Sequence, residues 1–226
     1  MGTAVVVIGG GPAAQAVPSS WRQADLVIAA DSGTDLAHRL GLVPSVVVGD
    51  MDSVTPAGLE RAKSAGATVE RAPVDKDETD FELALRAARA AGVSSVRILG
   101  GAAGRLDHLV ANLAVLTGPL TEGVDIEAWL GTSRVQILRD RLTVPGWAGM
   151  TVSLAAWHGT AHGLRSSGLR WELEGGSLEA GTARGTSNEL TGPLARLEVS
   201  GGCLSVIAPD AWRSEGVEIH ELGGCR

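Results

Sequence analysis

Four short acidic stretches carry most of the chemistry this sequence offers. Asp31 follows the apolar run Leu26–Ala30. Asp50 and Asp52 follow a second run, Ser45–Val48, in Gly49-Asp50-Met51-Asp52-Ser53. Asp77 and Asp80 lie in Lys76-Asp77-Glu78-Thr79-Asp80, and Asp107 stands near the end of the glycine-rich segment Gly100 to His108. Two carboxylates about 5 Å apart repel by roughly 3 kcal/mol at an effective dielectric of about 20, so a cluster of them calls for a cation. Hard oxygen ligands without clustered Cys or His favour Mg²⁺ over zinc. The i, i+2 spacing of Asp50 and Asp52 places both on one side of an extended segment, where they can hold one or two metal ions. Lys76 and Arg105, each embedded in an acidic stretch, are the cations available to face phosphate. Gly100, Gly101 and Gly104 let the backbone approach a phosphate closely. Together these groups point to phosphoryl chemistry.

Each stretch taken alone also has a purely structural reading. Thr79 and Glu82 have capping-box spacing, and Asp107 equally reads as a helix cap. Asp50 and Asp52 read as turn residues, the commoner role of any single Asp-x-Asp. His108 has no second ligand at metal-binding spacing and reads as structural or as packing near the site. Four such loops in one half of the chain are what favour the functional account.

The elements that must position these residues fall into two groups. Residues 1 to about 140 alternate short apolar runs with helical stretches, the pattern of an α/β domain. Strands are expected at Thr3–Ile8, Leu26–Ala30, Ser45–Val48, Thr68–Glu70, Val96–Leu99, Asp125–Leu130 and Val135–Leu138. Helices are expected near Thr34–Leu40, Pro56–Ala65, Thr79–Ala91 and Asp107–Leu116. In an open α/β sheet the loops at the carboxyl ends of the strands gather in one crevice, which would bring the four acidic stretches together. Beyond about Val144 helical periodicity stops. Strands are expected at Thr151–Trp157, Leu169–Leu173, Ala195–Val199 and Leu204–Ile207, with turns at Glu174-Gly175-Gly176-Ser177 and Ser200-Gly201-Gly202. Leu142–Gly149 reads as the linker. The expected organisation is a Rossmann-like α/β catalytic domain over residues 1–141 and an all-β sandwich domain over 150–226.

Composition narrows the function classes. The 226 residues are 44% hydrophobic and 20% charged, an ordinary globular balance. The net charge of −7 argues against a nucleic-acid or anionic-membrane surface. No apolar run approaches the roughly 20 residues of a membrane span, and Ala4–Ile8 is too short for a signal sequence, so a cytoplasmic protein is expected. The two cysteines, Cys203 and Cys225, form no zinc or disulfide pattern.

The motifs also resemble a known family. Gly49–Ser53, Lys76–Asp80 and Gly100–His108 are similar, in order and separation, to three signature segments of the thiamine pyrophosphokinases. Asp31-Ser32-Gly33 resembles an earlier Asp-Gly-Gly element, and Pro44 precedes its strand as in that family. Gly168-Leu169-Arg170-Trp171 and Gly185-Thr186-Ser187-Asn188-Glu189 resemble its thiamine-side motifs. The resemblance runs from about Val5 to Ile207. It implies an α/β catalytic domain, a β-sandwich, and a homodimer with active sites at the subunit interface. It also implies transfer of a diphosphate group from ATP to the hydroxyl of thiamine, giving thiamine diphosphate and AMP. By the same resemblance Asp50, Asp52 and Asp80 are metal-side carboxylates for Mg²⁺, Asp31 and Asp107 complete the acidic pocket, and the catalytic set is closed by Lys76 and Arg105, which neutralise the transferred phosphates. Asp31, Asp77, Thr79, Gly100, Gly101 and Gly104 serve ATP, and Trp171, Ser187 and Asn188 hold thiamine. Cation–π attraction between an indole face and a cationic heterocycle supports that use of Trp171, although a lone tryptophan equally reads as core. Met51, Ser32 and Ala103 depart from the family pattern, which has Phe, Gly and Gly there.

Two other readings remain open on sequence. A related pyrophosphokinase acting on another hydroxymethyl heterocycle, such as a pterin, would carry the same acidic loops. Gly9-Gly10-Gly11-Pro12-Ala13-Ala14 fits GxGxxA with Asp31 at ribose-binding distance, as in an NAD-dependent oxidoreductase. Against the latter, Pro18 would break the helix that should follow, and the reading leaves Asp50, Asp52 and Asp80 without a role.

Overall fold

The structure is a computed structural model and describes residues 2–10, 17–102, 105–209 and 211. The first half alternates strand and helix: β1 (Thr3–Ile8), β2 (Leu26–Ala30), α1 (Gly33–Arg39), β3 (Val46–Gly49), α2 (Pro56–Ser64), β4 (Thr68–Arg71), α3 (Asp80–Ala90), β5 (Ser95–Gly100), α4 (Leu106–Thr117) and β6 (Asp125–Leu130). Its strands pair in parallel in the order β6-β5-β1-β2-β3-β4. Strand β1 is buried almost throughout, and its side chains divide between two cores. Val5 and Val7 pack with Leu36 and Ala37 of α1, whereas Ala4, Val6 and Ile8 pack with Phe81, Ala84 and Leu85 of α3. Burying side chains the size of Phe81 and Leu85 contributes about 1.5–3 kcal/mol each. Helix α3 begins with a capping box. The Thr79 amide donates to Glu82 Oε2 at 2.9 Å, and the Glu82 amide donates to Thr79 Oγ1 at 3.2 Å. This box satisfies two otherwise unpaired amides and fixes Asp80 in the first turn.

The second half is all β: β7 (Ser133–Leu138), β8 (Arg141–Pro145), β9 (Thr151–Ala156), β10 (Ala161–Ser167), β11 (Glu174–Leu178), β12 (Asn188–Glu189), β13 (Leu194–Glu198) and β14 (Leu204–Ala208). β7 pairs antiparallel with β6, and β14, β9 and β12 follow, extending the parallel sheet to ten strands. β11-β10-β13-β8 form a separate antiparallel sheet. Leu154, Leu204 and Val206 from the long sheet share one core with Val144, Leu164 and Leu197 from the short one. The two layers are therefore a sandwich, the architecture expected for this half.

Three expectations need correction. Leu142–Gly149 is not a free linker, because Arg141–Pro145 is β8, paired along β13 from Arg141↔Glu198 to Pro145↔Leu194. Pro145 is tolerated because β8 is an edge strand. Glu174-Gly175-Gly176-Ser177 is not a turn but most of β11, another edge strand, where a Cβ on Gly175 or Gly176 would meet nothing. Leu169–Leu173 is the connection before it, joined to residues 188–190 by the Leu169↔Leu190 bridge, by the Arg170 amide's hydrogen bond to the Glu189 carbonyl at 2.8 Å and by hydrogen bonds between Trp171 and Asn188. Most of Gly9–Ala14 and the tail beyond Ala211 lie outside the described residues. Among the described residues no helix is long and apolar enough to cross a membrane.

Candidate active site

The carboxyl ends of β1, β2, β3 and β5 open into a cleft of about 420 Å³, closed on one side by the starts of α3 and α4. Asp31 leaves β2, Asp50 leaves β3, and Asp80 opens α3. Each offers a carboxylate oxygen, and the three oxygens lie within 4.8 Å of one another. Loops 19 and 30 residues apart in sequence thus converge because their strands are parallel neighbours.

The backbone around the cluster is strained in a consistent way. Asp31, with φ 46°, and Met51, with φ 69°, both occupy the left-handed region, which non-glycine residues seldom enter. Asp31 is held there by the hydrogen bond its N–H donates to the Val48 carbonyl, 2.9 Å, and is 6% exposed. Its carboxylate accepts from the Val54 amide at 3.2 Å and from the Ser53 hydroxyl, so it anchors the Asp50–Val54 loop as well as facing the cleft. Gly49 has φ 133°, and a Cβ there would come within 3.1 Å of the Asp80 carboxylate carbon and 3.2 Å of Asp31 Cβ. Only glycine lets these two acids approach from either side.

Met51 also explains where Asp52 goes. With the chain turned at Met51 the segment is not extended, so the i, i+2 argument for a shared face does not apply. The Asp52 amide instead donates to Asp50 Oδ1 at 3.0 Å, and Asp52 itself is exposed. The three-acid group therefore contains Asp31 where the spacing pointed to Asp52. Asp52 remains within the group's field. The charge of Asp50, then its own desolvation, then Asp31 and Asp80, raise its pKa above the usual carboxylate value.

Lys76 fills the gap between two of the acids. Its Nζ lies 2.9 Å from Asp80 Oδ1 and 3.7 Å from Asp50 Oδ2. Burial works to lower its pKa, but contact with Asp80 and then the charge of Asp50 outweigh that and raise it. Counted formally, three carboxylates and one ammonium leave two negative charges, which one divalent cation would balance. Asp80 Oδ1 is buried, with the Lys76 ammonium 2.9 Å away as its close cation. A donor set made up of three carboxylate oxygens within 4.8 Å of one another fits a hard cation such as Mg²⁺.

Arg105, His108 and Thr79 line the same cleft. Arg105 forms a two-pronged pair with Asp107, Nε to Oδ1 at 3.2 Å and Nη2 to Oδ2 at 2.6 Å. Asp107 lies inside α4 rather than capping it, and both side chains are exposed. The hydrogen bond from Arg105 holds the Asp107 pKa down to about 2. A group depressed in this way contributes its stability above its ordinary pKa and loses it as pH falls through the folded value. The expected carboxyl titration of Asp107, followed by NMR, has its midpoint near 2 and returns to the usual range, about 4, in Arg105→Gln. A midpoint unmoved by that substitution would contradict the pairing.

The remaining expected residues divide. Gly101 lines the cleft, but Gly100 does not: a Cβ there would stand 2.0 Å from the Ile8 carbonyl oxygen, so its glycine serves strand packing. Asp77 is exposed and does not line the cleft. Gly104 and Ala103 lie outside the described residues. In the β half, Trp171, Ser187 and Asn188 line a separate pocket of about 530 Å³. Trp171 is 54% exposed, with the Arg170 guanidinium 4.8 Å from its ring centroid. Asn188 is buried and spends its amide on the Trp171 backbone, accepting from its N–H at 3.1 Å and donating to its carbonyl at 2.8 Å. It is a residue that positions Trp171. The apolar lining of this pocket by Leu154, Leu164 and Leu178 had no motif to announce it.

The profile of the "Thiamin pyrophosphokinase, catalytic domain" matches residues 17–128, and that of the "Thiamin pyrophosphokinase, vitamin B1 binding domain" matches residues 136–204. The chain belongs to the thiamin pyrophosphokinase family. The thiamine pyrophosphokinase of Bacillus subtilis is 25% identical over 189 residues, spanning 80% of this chain and 86% of that protein. A crystal structure of the Bacillus subtilis protein superposes with a TM-score of 0.77 at 24% identity, covering 92% of this chain and 98% of that one. The thiamin pyrophosphokinase of Candida albicans gives 0.73 at 16% identity, covering 92% and 90%. These likenesses show the shared fold. The three clustered acids and Lys76 fall inside the stretch matched as the family's catalytic domain, and Trp171, Ser187 and Asn188 inside the stretch matched as its vitamin-binding domain.

Proposed function

We propose that this member of the thiamin pyrophosphokinase family moves a diphosphate group from ATP to the hydroxyl of thiamine, releasing AMP. The observation that carries the reading is the convergence of Asp31, Asp50 and Asp80 within 4.8 Å, with Lys76 between two of them, in the part of the chain that matches the family's catalytic domain. Asp31, Asp50 and Asp80 would hold Mg²⁺, with Asp52 completing the acidic rim. Bound there, the ion would neutralise phosphate oxygens and stabilise charge on the leaving AMP. Lys76 and Arg105 would bear on the transferring diphosphate, Arg105 exchanging Asp107 for phosphate. Transfer of this kind depends mainly on positioning and charge stabilisation, which is what a rigid set of loops on parallel strands supplies.

Thiamine would occupy the second pocket. It is lined mainly by apolar groups with an exposed indole, suited to a flat cationic heterocycle. The two pockets share no lining residue. A homodimer in which the β half of one chain, about 150–226, meets the acidic cleft of the α/β half of the other, about 1–141, would join them. A cytoplasmic location belongs to the same reading. Trp171→Ala should raise the KM for thiamine roughly tenfold while leaving the KM for ATP within twofold. Equal changes in both would mean a packing role.

The test of acceptor class is a panel: the purified protein with ATP and Mg²⁺, and with thiamine or a hydroxymethyl pterin, assayed for AMP. AMP formed only with thiamine supports the reading. AMP formed only with the pterin would keep the phosphate chemistry and overturn the thiamine assignment.

A further inference from the structure

One polar group in the cleft has no role in anything described above. Asn112, in the second turn of α4, is 8% exposed, yet it lines the cleft. Among the described residues nothing hydrogen-bonds its side chain. Its carboxamide opens onto the cleft, where a bound molecule can supply the donor and acceptor that the protein does not.

Its place along the cleft says which part of a ligand it meets. The carboxylate cluster lies at the ends of β2 and β3. Asn112 lies at the end of β5, where a Cβ on Gly101 would come within 3.1 Å of its Nδ2. The strand order β5-β1-β2-β3 separates the two ends by up to three strand spacings, about 14 Å. A nucleoside triphosphate whose phosphates occupy the acidic end would lay its sugar over Gly9 and Gly10 and bring its base to Asn112. The floor at that end suits a flat ring. Gly101 has φ 75°, bonds through its amide to the Gly9 carbonyl at 3.1 Å, and carries no side chain beside Ile8.

We propose that the Asn112 carboxamide reads the base of the nucleotide and sets a preference for adenine over guanine. This rests on the reading of the cleft as the ATP site. A carboxamide offers one donor and one acceptor side by side. Adenine answers with its N6 amino donor and N7 acceptor, whereas guanine shows two acceptors, O6 and N7, on the same edge. Guanine would therefore leave the Asn112 oxygen facing another acceptor. Asn112 is a specificity residue that acts at the base and takes no part in the transfer itself.

The test is equilibrium binding of ATP, GTP and 7-deaza-ATP, each with Mg²⁺, to the full chain and to Asn112→Leu and Asn112→Ser. Leu keeps the side chain's size, and Ser is a second variant in case Leu disturbs α4. Expected for the natural chain is a preference of about tenfold to a hundredfold for ATP over both other nucleotides. In both variants the three nucleotides should bind alike, at the level of GTP. A natural chain that binds ATP and GTP equally, or variants that keep the preference, would overturn the assignment and leave the ATP site standing. A chain that binds no triphosphate would overturn the ATP site as well, and the Asn112 role with it.

Discussion

Asp80→Asn should lower kcat about a thousandfold at saturating Mg²⁺ and leave the fold intact. The substitution keeps volume and removes one of three charges that lie within 4.8 Å of one another. The lost charge is one the metal needs, so the apparent Mg²⁺ affinity should fall along with turnover. Stability should move little in the absence of metal. Carboxylates about 5 Å apart repel by roughly 3 kcal/mol at an effective dielectric of about 20, and relief of that repulsion offsets the loss of the Lys76 ion pair. Asn also retains a polar group at the first turn of α3, where Thr79 and Glu82 already cap the helix. Steady-state kinetics across a Mg²⁺ titration, with thermal melts of the metal-free protein, would check this. Turnover within a few-fold of the natural enzyme would remove Asp80 from the metal site. A large loss of melting temperature would make it a structural residue.

Lys76→Met should lower kcat by about a hundred- to a thousandfold with the KM for thiamine nearly unchanged. Met has a stem of similar length but carries no charge, so the change isolates the ammonium. With Asp80 2.9 Å and Asp50 3.7 Å away, Lys76 stands where it can pass from acids to phosphates when the nucleotide arrives. Its raised pKa means that its contribution is complete at neutral pH and is lost only as pH climbs through the folded value, above the ordinary lysine range. The variant's metal-free form should also be less stable than the natural protein, and Mg²⁺ should restore more of its stability, because the acids have lost their internal counter-charge. A Lys76→Met enzyme of normal kcat would show that Lys76 only neutralises the three acids.

The first half of the fold was legible because its signals are local. Thr3–Ile8, Leu26–Ala30 and Asp125–Leu130 are continuous apolar or β-prone runs bounded by turn residues, and each strand has those bounds. Thr79 and Glu82 announced the start of α3 through spacing alone. The β half was harder to read because its edge strands break the usual rules. Pro145 ends β8 and Gly175-Gly176 sit inside β11, residues that argue for loops until an edge position excuses them. At the site, the acidic loops could be read from residue type, but the membership of the three-acid group could not. That depends on positive φ at Met51 and Asp31, which no spacing rule reports, and it places Asp31 in the group and Asp52 at its rim. Asn112 has no sequence signal, because a single asparagine in a helix carries no pattern. Only its burial and its place beside Gly101 give it meaning.

The most direct test of the central claim is a single turnover with ATP labelled at its γ-phosphate, thiamine and Mg²⁺, followed by separation of the products. Diphosphate transfer predicts that the label appears in thiamine diphosphate, with unlabelled AMP in equal amount and nothing formed when EDTA is present. Label in thiamine monophosphate alongside ADP, or in inorganic phosphate alone, would contradict it.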